Sequence, residues 1–286
     1  MGKPHREGGF KGRHWELEMN RCIWCLQTDQ KPSREHIVPE VLGCPSDWIL
    51  SNGEVCELCN NRLGFLDRVL ADEFDLLRLH VGQVGKRGKP PKITGRPNLR
   101  GERRPYGPDI LVNMGRKIAN HPHYGVIRPP TGNPRDAQAD FLVDGSIARI
   151  RIRVQVGATM EFSRAIHKIA FAWLARAQGP EVAWRKTFSP VRDFVLRGTG
   201  TRYVLGKPAR QSEYHRSGTV YSRGDGCSCV EFNICGSSFM VDLSPEQQVL
   251  PDLVSEMSRT HGRDGWGILP PPKPSHDLYK VFASEE

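Results

Sequence analysis

Apolar residues fall into blocks along this chain, and the spacing within each block predicts its element. Leu63, Leu66, Val69, Leu70, Phe74, Leu77 and Val81 recur at steps of three and four, the period of one helix face, so a helix is predicted over residues 58–80. Gly82 and Gly85 follow and end it. Phe141, Val143, Ile150, Ile152, Val154 and Val156 alternate with polar residues around Asp144-Gly145, which predicts a β-hairpin with Arg149, Arg151 and Arg153 on its exposed face. A second helix is predicted from Met160 to Ala177, because Phe162, Ile166, Ile169, Ala170, Trp173 and Leu174 share a stripe and Gly179-Pro180 stops it. Arg164, His167, Lys168 and Arg176 fall off that stripe. Alternation returns over 213–243, through Val230, Phe232, Ile234, Phe239, Val241 and Leu243. The chain therefore reads as α+β, with helices laid on an antiparallel sheet in its C-terminal half. The Pro-rich run at 270–274 reads as a loose tail.

Two stretches break the pattern. Residues 1–20 are Gly-rich, basic and without periodicity, and read as a flexible arm. Residues 82–108 hold eight Lys or Arg against the single acid Glu102, interrupted by Gly and Pro. This segment reads as a linker or basic loop. It separates a unit at 21–81 from an α+β domain at 109–286. Over the whole chain Lys and Arg outnumber Asp and Glu by 41 to 32, a net charge of +9 that favours polyanionic partners. No apolar run is long enough to span a bilayer, the first 20 residues lack an apolar signal core, and Arg6 stands where a myristoylation signal needs Ser or Thr. A cytoplasmic location without membrane attachment is expected.

Cysteine spacing adds chemistry to this outline. Cys22-x-x-Cys25 and Cys56-x-x-Cys59 are two knuckles separated by 30 residues. Such pairs close a tetrahedral four-cysteine zinc site, which is structural rather than catalytic. The competing readings are a redox dithiol, which needs only one pair, and four unrelated buried cysteines. Between the knuckles, Glu35-His36-Ile37-Val38-Pro39 sets a carboxylate beside an imidazole on a strand-like stretch. Trp48 to Val55 then makes a turn and a second strand, and Cys56-Glu57-Leu58-Cys59-Asn60-Asn61 opens the helix.

This segment resembles the zinc-containing branch of the HNH endonucleases, and most of all the standalone bacterial HNH proteins with an EHIxP segment and a CxxCN knuckle. The resemblance runs from Cys22 to about Ala71. It implies a zinc-stapled ββα-metal unit with His36 as general base, Glu35 and Asn60 as ligands of a catalytic Mg2+ or Mn2+, and Asn52 orienting His36. Glu35 stands where Asp is more usual, and Asn60 stands in place of His, as it does in other members. It further implies hydrolysis of DNA phosphodiesters to a 3′ hydroxyl and a 5′ phosphate, by nicking or by double-strand cutting. By analogy alone the role is that of a restriction or phage-defence effector.

The residue types suit that chemistry in their own right. In-line attack by water on a phosphodiester needs a proton acceptor and a cation. An imidazole, with an unperturbed pKa of about 6.5, serves as the acceptor at neutral pH. Carboxylate and amide oxygens suit Mg2+ or Mn2+. Asn60 in the first helical turn also turns the positive end of that helix toward phosphate. Asn52, in an Asn-Gly pair, reads equally as a turn former. Asp67, two helical turns after Asn60, reads as a metal ligand or as a capping or salt-bridge residue. Lys86, Arg87, Lys89, Lys92 and Arg96 are candidates for DNA-backbone contact, as against a solvated loop. His167 reads as a phosphate contact or a solvated side chain, and His121-Pro122-His123 as a loop. Cys227, Cys229 and Cys235 read as buried strand cysteines or an incomplete second metal site. From another class, a non-catalytic zinc module that binds nucleic acid fits the same knuckles. The C-terminal half then offers substrate recognition, regulation or a surface for protein partners.

Overall fold

The alternation on either side of the Glu35-His36 pair folds into an antiparallel hairpin, β1 (Pro32–His36) against β2 (Ile49–Cys56), with Glu35 opposite Leu50 and His36 opposite Ile49. The computed structural model describes residues 21–85, 88, 91–93, 96, 99–103, 110–113, 136–144, 147–207, 214–222, 228–261 and 266–270. The basic arm at 1–20 and the Pro-rich tail lie outside them, as do His121, His123 and Cys227.

β2 runs directly into α1 (Glu57–Glu73), whose N-cap Cys56 accepts a bond from the Cys59 amide. The single helix expected over 58–80 is two, since Phe74 leaves helical geometry at φ −95° and ψ 15° before α2 (Asp75–Val81) resumes. The apolar stripe survives the break: Leu63, Leu66, Leu70 and Phe74 are wholly buried, and Phe74 packs on Phe162 and Phe239. Gly82 closes α2 in the left-handed region at φ 69°, as its position in the sequence predicts.

The segment expected to be a linker or basic loop carries strands among its described residues. Its described residues form β3 (Lys92–Ile93) and β4 (Arg100–Arg103), joined by β5 (Ile110–Asn113) into a three-stranded antiparallel sheet. Ile93 and Leu99 are buried with Leu79 of α2 and Ala137. Two apolar residues in a run of charges are enough to dock it.

The hairpin predicted around Asp144 follows, as β6 (Ala137–Asp144) and β7 (Ile147–Val154), paired from Ala137–Val154 to Asp144–Ile147. The side chains of Arg149, Arg151 and Arg153 lie outside the described residues. Thr159 then caps α3 (Met160–Gln178), its hydroxyl accepting from the Phe162 amide at 3.3 Å. Two short helices, α4 (Pro180–Trp184) and α5 (Ser189–Arg197), lead to the main sheet. That sheet comprises β8 (Val204–Lys207), β9 (His215–Ser222), β10 (Ser228–Ile234), β11 (Ser237–Asp242) and, after α6 (Leu250–His261), β12 (Gly267–Leu269). Its order is β12-β8-β11-β10-β9 and all its pairings are antiparallel, so the α+β reading holds.

α3 is not the amphipathic surface helix its stripe suggested: every residue from Ala165 to Ala175 is buried. One apolar cluster joins Cys22, Trp24, Leu63 and Phe74 to α3 and on to Phe232 and Val241 of the sheet. Residues 21–81, expected to form a unit of their own, thus share their core with 160–243. No helix among the described residues is long and apolar enough to cross a membrane.

His167, expected to be solvated, is fully buried inside α3. Its Nδ1–H donates to the Ser163 carbonyl at 2.8 Å, and its ring meets Phe194 edge-on at 5.1 Å. Desolvation first, and the Arg202 cation second, push its pKa down to about 3. The unfolded chain, with a histidine pKa of about 6.5, therefore takes up a proton that the native chain does not. The stability tied to this group is complete above about pH 6.5 and lost as pH falls toward 3. On going from pH 7 to pH 4, wild type should lose a few kcal/mol more stability than His167→Gln, read from urea unfolding midpoints. A difference between the two that is independent of pH would contradict this burial.

Candidate metal centre and active site

The first cysteine pair sits in the tight loop before β1. Leu26 takes a left-handed conformation at φ 62° and returns its amide to the Cys22 carbonyl at 2.9 Å. The Ile23 amide donates to Glu54 O at 2.8 Å and so fastens this knuckle to β2. The second pair straddles the junction of β2 and α1. All four sulfurs lie within 4.8 Å of one another, and Cys25 Sγ is 3.7 Å from Cys56 Sγ. A tetrahedral zinc with Zn–S bonds of about 2.3 Å needs sulfurs about 3.8 Å apart. Backbone amides also point at sulfur, Cys56 N at Cys22 Sγ and Cys59 N at Cys56 Sγ, each at 3.4 Å.

The thiols of this cluster have divergent acidities. A hydrogen bond from the Cys59 thiol, stronger than the opposing desolvation, lowers the Cys22 pKa to about 5. Cys59 is raised by that same bond, and Cys25 goes up to about 11 through desolvation. Four thiols in partly buried surroundings cannot all ionise against one another, and a bound dication removes that conflict. The residues therefore fit a structural zinc. Among the described residues no other group of three or more His, Cys, Asp or Glu could hold a metal ion. Cys229 is buried on β10, as the strand-cysteine reading has it; Cys235 is buried too but lies in the turn after β10 at φ 49°, in a different cluster, its thiol donating to Tyr214 Oη at 3.3 Å.

Asn60, directly after the last cysteine, donates through Nδ2 to Ser33 Oγ at 2.7 Å and to Arg34 O at 3.1 Å. The first turn of α1 is thereby pinned to the strand that carries His36. Both bonds use the amide nitrogen, so the carbonyl oxygen, the atom a hard cation would take, is not committed to either. His36 is half-buried at the end of β1. Asn52 lies in β2 next to Gly53, which takes φ 87°; its side chain is not among those described.

Glu35 does not stand as a hydrated metal ligand would. Its side chain is 3% exposed, and Oε1 meets Lys168 Nζ at 2.6 Å. The same ammonium lies 2.6 Å from Asp67 Oδ1, whose side chain is 32% exposed. Burial pushes the Glu35 carboxyl up, with Lys168 opposing it. Desolvation acts against the ammonium, but the two carboxylates outweigh it and hold Lys168 above its usual value. Of the two readings open for Asp67, the salt bridge is the one found.

Lys168 is the residue that sequence reasoning missed. A signal was present, because it lies inside the run Ile166 to Ala175, apolar apart from His167 and Lys168 themselves, where a solvated lysine has no place. Arg96 needs the opposite correction. Taken as a DNA contact, it is 1% exposed, its Nε donating to Asp75 Oδ1 at 2.8 Å and its Nη2 to Glu73 O at 3.0 Å. Its charge is consumed inside the protein. Lys92 is exposed on β3, while Lys86, Arg87 and Lys89 lie outside the described residues.

Comparison of the chain with protein-family models, with curated proteins and with solved structures found no match. The cluster leads to a direct expectation. Freshly purified protein should carry about one zinc per chain by elemental analysis, and Cys22→Ser or chelation should remove it. Because Cys22, Cys56 and Cys59 belong to the shared core, loss of the ion should lower the unfolding midpoint of the whole chain. Zinc-free protein with an unchanged midpoint would refute this.

Proposed function

We propose that this chain is a zinc-stapled endonuclease of the HNH type that hydrolyses DNA phosphodiester bonds, with His36 as the general base. The observation that carries the reading is the joint between Asn60 and the strand of His36. The order hairpin then helix, with a cysteine pair before the first strand and another at the strand–helix junction, brings the residue after the last cysteine against Ser33 and Arg34. An imidazole and an amide oxygen are then carried on two elements fixed to each other, on a fold stapled at its base.

His36, as the neutral imidazole, would accept a proton from the attacking water. Mg2+ or Mn2+ bound with the substrate would supply charge neutralisation at the phosphate, and Asn60 Oδ1 is the atom this chain offers toward it. Glu35, committed to Lys168, takes no part in this scheme. The net charge of +9 and the exposed Lys92 suit a polyanionic substrate. A restriction or phage-defence role rests on analogy alone.

The buried state of Glu35 favours a second reading, a zinc module that binds nucleic acid without cutting it. Plasmid relaxation in Mg2+ or Mn2+ separates the two. Wild type should nick, and His36→Ala should lose about 100-fold or more in rate while keeping its zinc and its unfolding midpoint. Equal rates in the two proteins would sink the assignment of His36. A wild type inactive on supercoiled, linear, branched and single-stranded DNA, yet binding them, would establish the second reading.

A further inference from the structure

Strand β1 delivers one residue of the Glu35-His36 pair to each face of the hairpin, because successive side chains on a strand point opposite ways. Glu35 faces inward, where α3 lies, and there it meets a cation that belongs to the protein. Lys168 Nζ is 2.6 Å from Glu35 Oε1 and 2.6 Å from Asp67 Oδ1. Two carboxylates from two elements, converging on one point from a strand and a helix, are the donors that a small dication would recruit. Here that point is filled by an ammonium carried on a buried helix 101 residues beyond Asp67.

We infer that Lys168 is the resident cation of this site: it occupies the position between Glu35 and Asp67 that a divalent ion would take, and Glu35 is therefore not a metal ligand in this chain. The inference deepens the endonuclease reading by assigning Glu35 and Lys168 a positioning role, in which they fix the inner face of the strand that presents His36. It also makes α3 part of the site. Asp67, one-third exposed, is the side from which solvent and ions reach the pair. Replacing the ammonium by a neutral chain of the same length would leave two carboxylates facing one gap, open to a metal from that side.

The test measures Mn2+ binding without nucleic acid, by the electron paramagnetic resonance of the free ion, on full-length zinc-loaded protein. Glu35→Gln should bind Mn2+ within about twofold of wild type, since Glu35 already has its cation. Lys168→Met should gain one site at least about tenfold tighter than any in wild type, and Lys168→Met with Glu35→Gln should lose it again. Lys168→Arg, which keeps the charge, should behave as wild type. A loss of about tenfold or more in Glu35→Gln would show that Glu35 is a metal ligand and that the lysine gives way, overturning the inference. A well-folded Lys168→Met without a new site would overturn it as well. Should Lys168→Met fail to fold, as judged by circular dichroism and zinc content, Glu35→Gln decides alone, because it leaves Lys168 paired with Asp67. None of these readouts depends on cleavage, so failure of the endonuclease reading, seen with His36→Ala, is distinguishable from failure here.

Discussion

A helix buried on every side has no solvent face on which to leave its polar groups, and that constraint on α3 organises much of the molecule. Within the run Ala165 to Ala175, His167 and Lys168 must both be satisfied from inside. His167 does so by remaining neutral and bonding back to Ser163 O, four residues earlier, one turn up the same helix. Ser163 in turn donates from its hydroxyl to Arg202 O at 2.6 Å, tying the helix to the entry of the main sheet. Lys168 cannot be accommodated as a neutral amine beside two carboxylates, so it draws in Glu35 and Asp67. Removing one member of such a buried pair typically costs about 3–5 kcal/mol, because the remaining charge is stranded.

The same helix explains how a short hairpin stays folded. Two strands of five and eight residues are marginal alone in water. The four-cysteine cluster braces one end. Aromatic packing onto α3 braces the rest, Trp24 against Phe171 at 5.1 Å and Trp48 edge-on to Trp173 at 4.9 Å. Polar links add register: Trp184 Nε1 donates to Arg21 O at 3.0 Å, and His215 Nε2 to Leu42 O at 2.7 Å. Each of these crosses from residues 21–81 to the C-terminal half, so the covalent order of a small motif followed by a large region does not correspond to two independent cores.

Local information was legible in the sequence and distant information was not. The periods of the helices, the Asp144 hairpin and the closing role of Gly82 depend on residues near one another in sequence, and the convergence of the two cysteine pairs, though 30 residues apart, is signalled by the spacing within each knuckle. Its period marks Phe74 as buried but not as a break, since its two aromatic neighbours, Phe162 of α3 and Phe239 of β11, do not show in a periodicity. Charges were the main source of error. Arg96 reads as a DNA-backbone contact or part of a solvated loop, and Lys168 only as lying off the apolar stripe, whereas both are inner counterions, for Asp75 and for Glu35 with Asp67. An isolated basic residue within an apolar run, or one flanked by buried Ile93 and Leu99, signals an unseen acid elsewhere in the chain.

Adjacency in sequence therefore did not make Glu35 and His36 partners in one task. On a strand, neighbours are separated by the sheet itself. Glu35 is drawn to the apolar side by a charge that must be neutralised there, and His36 is left half-buried on the other side, at the end of β1 next to the turn of Glu40–Leu42. The pairing is irregular just before this pair, Ser33 standing opposite Val55 but Glu35 opposite Leu50, so the extra residues lie on β2 and the alternation of β1 runs through unbroken. Asn60 bonds to Ser33 and Arg34, where that irregularity falls, so the first turn of α1 clamps β1 immediately before Glu35 and His36. The residue after the last cysteine thus acts on His36 through the backbone of β1.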